Sequence, residues 1–80
     1  SLEGKKAKIF FESIKASKTI SYLFLDDVKM DEDGYKEFAE MLKVNNSLTS
    51  VGFYNEKFSS NSVKLISEAI IINKSLKTIK

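Results

Sequence analysis

The chain has 80 residues, 42% of them hydrophobic and 30% charged, and 13 Lys against 11 acidic residues leave a net charge of +2. This is the composition of one small globular unit, outside the disordered and collagen-like classes. With no Cys and no His, it has no disulfide framework, no Cys or His nucleophile–base pair and none of the usual zinc ligand sets.

In chain order, Ala7, Phe10, Phe11 and Ile14 fall at i, i+3, i+4 and i+7, the apolar stripe of a helix. The stretch Ile20–Leu25 then alternates as a short strand does, with Leu23 and Leu25 on one face. Asp31, Glu32 and Asp33 place negative charge where a helix dipole favours it, at the start of a stripe formed by Tyr35, Phe38, Ala39 and Leu42. Asn45 follows that stripe, as Asn73 follows the next. Asn at such a point is expected in the left-handed conformation that ends many helices. A second alternating stretch, Leu48–Phe53, leads into a helix carrying Val63, Ile66 and Ile70, with Ser67 in place of Ala. A third strand begins at Leu76 and includes Ile79.

These elements repeat. A shift of 28 residues superimposes Asn46-Ser47-Leu48 on Lys74-Ser75-Leu76, Leu23 on Val51 and Ile79, and Phe10 on Phe38 and Ile66. The recurrence extends to surface positions, through Lys8, Lys36 and Lys64 and through Glu12, Glu40 and Glu68. A fixed period of this size marks stacked supersecondary units. One domain, 1–80, is expected, with units at about 1–18 (partial), 19–46, 47–74 and 75–80 (partial). Strands alternating with helices predict an α/β fold, in which parallel strands are joined by crossover helices.

The pattern resembles the leucine-rich repeats of the ribonuclease-inhibitor-like class. Their L-x-x-L-x-L core is matched by Ile20, Leu23 and Leu25, then by Leu48, Val51 and Phe53; the later apolar position is matched by Met30 and Phe58, and the loop-to-helix Gly by Gly34. The resemblance implies a short solenoid of about three repeats, with parallel strands on a concave side, helices on a convex side, and protein recognition as the default role. It also implies an intracellular, cytoplasmic segment of a longer repeat protein, since Cys-rich caps are absent. Two features depart from the pattern. Val28 and Glu56 stand where Asn or Cys normally follows the strand, so the family's Asn ladder is broken, and Ser62 replaces the Gly. Glu56 is expected to turn outward, because a buried unpaired carboxylate is costly.

If Leu23, Leu25, Val51 and Phe53 point inward, the alternate residues line the opposite face. Stacked in register, that face presents Tyr22, Ser50 and Thr78, then Phe24, Gly52 and Lys80, then Asp26 beside Tyr54. Aromatic residues are enriched at binding hot spots, and they also stabilise sheets by covering small neighbours. The candidate partner-binding residues are therefore Tyr22, Phe24, Asp26, Ser50, Gly52 and Tyr54. The pairs Lys8/Glu12, Lys36/Glu40 and Lys64/Glu68 read as i,i+4 neighbours on a solvated helix face.

Other chemistries find little support. Asp31-Glu-Asp33-Gly34 does not complete a calcium loop, since Lys29 would occupy the first ligand position and Lys36 the eighth. The Ser-x-x-Lys spacing is missing, and Gly4, Gly34 and Gly52 form no phosphate-cradling loop. The sequons at Asn45 and Asn73 lie 28 apart, so the repeat itself explains both. Residues 1–18 carry five Lys against two acids (+3), 19–46 three against seven (−4), and 47–80 five against two (+3). With no Arg and an acidic middle, no continuous phosphate-tracking stripe forms, and nucleic acid is not expected as a partner. The longest apolar run, Ala69–Ile72, is far short of the roughly 20 residues that span a bilayer. The expectation is a non-catalytic, cofactor-free interaction module with a protein partner, or alternatively a structural segment that self-associates through open repeat ends.

Overall fold

The computed structural model describes residues 3–80, so the first two residues of the opening unit lie outside it. Three helices and three strands alternate: α1 (Gly4–Lys15), β1 (Tyr22–Asp26), α2 (Glu32–Val44), β2 (Ser50–Tyr54), α3 (Ser60–Ile72) and β3 (Thr78–Ile79). The strands form one parallel sheet in the order β1-β2-β3. Its register is the repeat itself, pairing Tyr22 with Ser50, Leu23 with Val51, and Val51 with Ile79. The predicted α/β order is therefore present, with strands starting about two residues later than the alternation suggests.

Helix starts follow from side-chain caps. Asp31 accepts from the Gly34 N–H at 2.8 Å, and Ser59 accepts from the Ser62 N–H at 3.1 Å, each satisfying a donor that the first helical turn leaves free. The acidic cluster at 31–33 is thus a helix start, and Gly34 lies inside α2. Ser62, at the same repeat position, is fully buried and hydrogen-bonded to Ser59 through its hydroxyl at 2.9 Å.

The core lies between sheet and helices. Ala7, Phe11 and Ile14 of α1 meet Phe38, Ala39, Met41 and Leu42 of α2, while Ile66 and Ala69 of α3 close the other side. A chain of rings runs through it, Phe11–Phe38 at 5.4 Å, Phe38–Phe53 at 5.7 Å, Phe53–Phe58 at 5.2 Å and Phe58–Tyr35 at 5.3 Å between centroids. Each is tilted or edge-on, the geometry that ring quadrupoles favour. The expected helix stripes are complete only in α2. Phe10 of α1 and Val63 of α3 are exposed because α1 and α3 each have a helix on one side alone.

The ends of α2 and α3 correct one expectation. Asn45 has φ −64° and ψ 132°, and Asn73 has φ −62° and ψ 137°, so both are extended rather than left-handed. Their side chains do the capping instead. Asn45 donates through Nδ2 to the Ile14 carbonyl (2.7 Å) and the Ser17 carbonyl (3.4 Å), while Oδ1 accepts from the Ser47 and Leu48 N–H groups (2.8 and 2.7 Å). Asn73 repeats this one unit later, donating to the Leu42 and Asn45 carbonyls and accepting from Ser75 and Leu76. Ser47 and Ser75 add bonds of 2.6 Å each, to the Ile20 and Leu48 carbonyls. The units are thus laced together where the chain passes from helix to strand. Among the described residues the non-glycine left-handed ones are Asp27 (φ 53°) and Asn55 (φ 57°), which follow the strands and also lie 28 apart.

Candidate functional site

Alternation along β1 and β2 turns Tyr22, Phe24, Asp26, Ser50, Gly52 and Tyr54 away from the helices. All six candidate residues therefore share one face, and Thr78 extends the first row. Tyr22, Phe24 and Tyr54 are exposed, as is Asp26. Tyr22 and Phe24 stack nearly in parallel, with centroids 6.4 Å apart and an interplanar angle of 6°. Phe24 also lies over Gly52: a Cβ built there would sit 2.5 Å from Phe24 Cδ1 and 3.0 Å from Cε1. The Phe24 ring occupies the space a side chain on Gly52 would need, and it buries the backbone beneath it. Phe24 is in this respect a packing residue, while Tyr22 and Tyr54 present the freer aromatic surface.

The residue that borders this face departs from expectation. Glu56 does not turn outward. Its Oε2 accepts from the Val28 N–H at 2.7 Å and its Oε1 from the Tyr35 hydroxyl at 3.3 Å, so it ties the turn after β1 to the turn after β2 and to α2. An outward turn presumes an unpaired carboxylate; two donors remove that cost. A signal is present in the sequence, since Glu56 aligns with Val28, whose N–H it binds, at the repeat distance of 28. The turn after β1 is fixed further by the Asp27 N–H, which donates to the Tyr54 carbonyl at 2.8 Å.

The same contact shifts Tyr35. Burial, then the charge of Glu56 and the hydrogen bond to it, then the charge of Glu32, push its phenol up to about 12. A folded pKa above the unfolded value of about 10 means that the fold favours the neutral phenol. This stability is fully present below about pH 10 and is lost as pH rises from about 10 to 12. Tyr35→Phe should therefore remove a phenolate absorbance step near pH 12 and flatten the fall of melting temperature across that interval. If the variant keeps both the step and the slope of the parent, the Tyr35–Glu56 contact is absent in solution.

The helix surface also differs from expectation. Among the described residues the ion pair that forms is Lys43–Glu40 at 3.5 Å, an i,i+3 pair, and the pairs Lys8/Glu12, Lys36/Glu40 and Lys64/Glu68 do not come within ion-pair distance. Asn45 is 1% exposed and its amide is fully engaged, so this sequon serves the fold. No helix among the described residues is long and apolar enough to cross a membrane.

No family model matches the chain. No curated protein matches it either. A solved structure described as leiomodin-1 actin-binding site 2 shares its fold with a TM-score of 0.79 and 25% identity across 96% of this chain. The chain spans 46% of the length of that one. The expected membership in the leucine-rich repeats is corrected accordingly, together with the solenoid and ribonuclease-inhibitor-like descriptions. The residues that carry the resemblance specify little beyond apolar spacing. Any stack of strand–helix units sharing one core requires such spacing, so it identifies the local architecture and not the family. In fold, this α/β chain is similar to an actin-binding site.

Proposed function

We propose that the chain is a non-catalytic protein-binding module whose partner is actin, met on the outer face of the sheet. The observation that carries the reading is the fold similarity to leiomodin-1 actin-binding site 2 over nearly the whole chain. The sheet face supports it chemically, because Tyr22 and Tyr54 offer exposed aromatic area with hydroxyl ends, and Asp26 adds a charge beside them. Gly52 lets the Phe24 ring lie flat across the face, and the small Ser50 side chain keeps the surface beside Tyr22 low. An actin partner would place the protein inside the cell.

Self-association through the ends of the stack is the weaker reading. Residues 1–18 and 47–80 each carry +3, so end-to-end stacking brings like charges together.

Binding to monomeric actin by calorimetry, alongside co-sedimentation with filaments, tests the proposal. Tyr22→Ala and Tyr54→Ala should each weaken binding by about tenfold, the loss of one anchor worth roughly 1.4 kcal/mol, with the helical circular-dichroism signal unchanged. Binding that survives both substitutions would move the interface off the sheet. A chain that binds neither form of actin would have a different partner.

A further inference from the structure

The two ends of the stack are built differently. The outward flank of α1 holds Lys6, Phe10 and Ser13, where α2 buries Gly34, Phe38 and Met41 against its neighbour. Lys6 brings a charge to this flank and Ser13 a hydroxyl, and the Phe10 ring lies edge-on against Phe11 at 5.2 Å. Ser17 replaces the Asn of the later junctions, and its hydroxyl oxygen closes its own turn by accepting from the Thr19 and Ile20 N–H groups. An end of a stack that meets water is finished with polar groups in this way.

The outward flank of α3 is not. Val63, Ser67 and Ile70 hold the positions at which Tyr35, Ala39 and Leu42 are buried under the next helix. Ile71 adds to them: it is 82% exposed, whereas Lys15 and Lys43 at its repeat position are half-buried. Ile79, at the position of the buried Val51, carries the apolar surface on into the sheet. Lys64 and Lys74 stand at positions exposed in every unit, and Glu68 at one that is never buried, so the charges of α3 lie outside this flank.

A row of backbone acceptors runs beside it. Asn45 donates to the Ile14 and Ser17 carbonyls, and Asn73 to those of Leu42 and Asn45. Ser47 and Ser75 donate to the Ile20 and Leu48 carbonyls, and the Thr49 and Lys77 N–H groups to those of Ser21 and Thr49. One period further on, the carbonyls of Ile70, Asn73, Leu76 and Lys77 hold the same places. Among the described residues none of them receives such a bond.

We propose that this end docks a helix–strand unit lying outside these 80 residues, one that closes its helix with Asn and carries Ser two residues later. Its Asn amide would bridge the Ile70 and Asn73 carbonyls, its Ser hydroxyl would meet the Leu76 carbonyl, and its strand would pair with β3. An amphipathic helix alone would cover Val63, Ile70 and Ile71 but leave the β3 edge and its acceptors unmatched. A second copy of this chain fits by neither end. Its α1 end would set Lys6 against the apolar flank and offers only Ser17, already engaged in its own turn. Its α3 end would set carbonyls against carbonyls. The proposed unit instead continues the packing of α2 on α1 and of α3 on α2. This surface is separate from the sheet face and does not rest on the actin reading.

The probe is the chain's own unit. Residues 53–80 are repeated directly after Lys80, which keeps the 28-residue register, and the lengthened chain is compared with the 80-residue one. The melting temperature should rise by about 10 °C or more, and the amides of the added helix should be as protected from hydrogen exchange as those of α3. Ser67→Lys at the original position should be silent in the 80-residue chain, where Ser67 is exposed, and should cancel the gain in the lengthened one. Asn73→Ser made only in the added copy should remove about half of the gain. An unchanged melting temperature with an unprotected added helix, a gain that survives Ser67→Lys, or an equal gain without the added Asn would overturn the proposal. Sedimentation equilibrium showing a dimer of the 80-residue chain that Ser67→Lys abolishes would also overturn it, assigning this end to a second copy.

Discussion

Asn45→Ala is expected to destabilise the whole chain by about 3 kcal/mol or more, because it removes five hydrogen bonds from a fully buried site. Each net bond is worth only about 1 kcal/mol, but stranded carbonyls and N–H groups without access to water cost more. For a chain of this size the melting temperature should fall by roughly 10–20 °C. A graded series separates the two halves of the site. Asn45→Ser should be milder than Asn45→Ala, because Ser17 holds this position in the first unit and accepts from the Thr19 and Ile20 N–H groups (3.3 and 3.2 Å). Asn45→Asp should be at least as harmful as Ala, since it sets an acceptor against the Ile14 carbonyl. Asn73→Ala, with the same bonds at a half-buried site, should cost less because water can replace the amide. Equal and small losses for Asn45→Ala and Asn73→Ala in denaturant titrations would show that these bonds do not hold the units together.

Much of the architecture is legible because two periods alternate in the chain. Apolar residues two apart mark the strands, those three and four apart mark the helices, and the 28-residue shift sets the strand register that Tyr22–Ser50 and Leu23–Val51 realise. What stays hidden depends on where polar side chains reach. Asn45 and Asn73 are recognisable as helix ends, but backbone preference suggests a left-handed turn, whereas their amides bridge to carbonyls up to 31 residues away. The left-handed residues after the strands, Asp27 and Asn55, are also Asx residues spaced by the repeat, so the same signal is present at both places. For Glu56 the repeat alignment with Val28 marks the neighbour, but the reach of its carboxylate to the Val28 N–H and the Tyr35 hydroxyl is set by the stacking. The candidate face follows from alternation alone. The covering of Gly52 by Phe24 needs the rotamer of one ring, which no spacing specifies.

Phe38→Ala should have the largest effect of any single core truncation, about 3–5 kcal/mol. Stabilities of roughly 0.05–0.15 kcal/mol per residue leave a chain of this length little to spare, so the variant should be largely unfolded near physiological temperature. The reason lies in position rather than residue type. Phe10, Phe38 and Ile66 occupy one repeat position, but Phe38 is enclosed by helices on both sides and packs against Phe11 and Phe53, while Phe10 is 40% exposed. Phe10→Ala removes a side chain of the same size that has lost much less water contact on folding, and it should cost under about 1 kcal/mol. Ile66→Ala, buried but with a helix on one side only, should fall between them. Calorimetric melting of the three variants gives the order directly. If Phe10→Ala proved as damaging as Phe38→Ala, α1 would have a further covering layer in solution, and the outer flank of the stack would be an interface rather than a free surface.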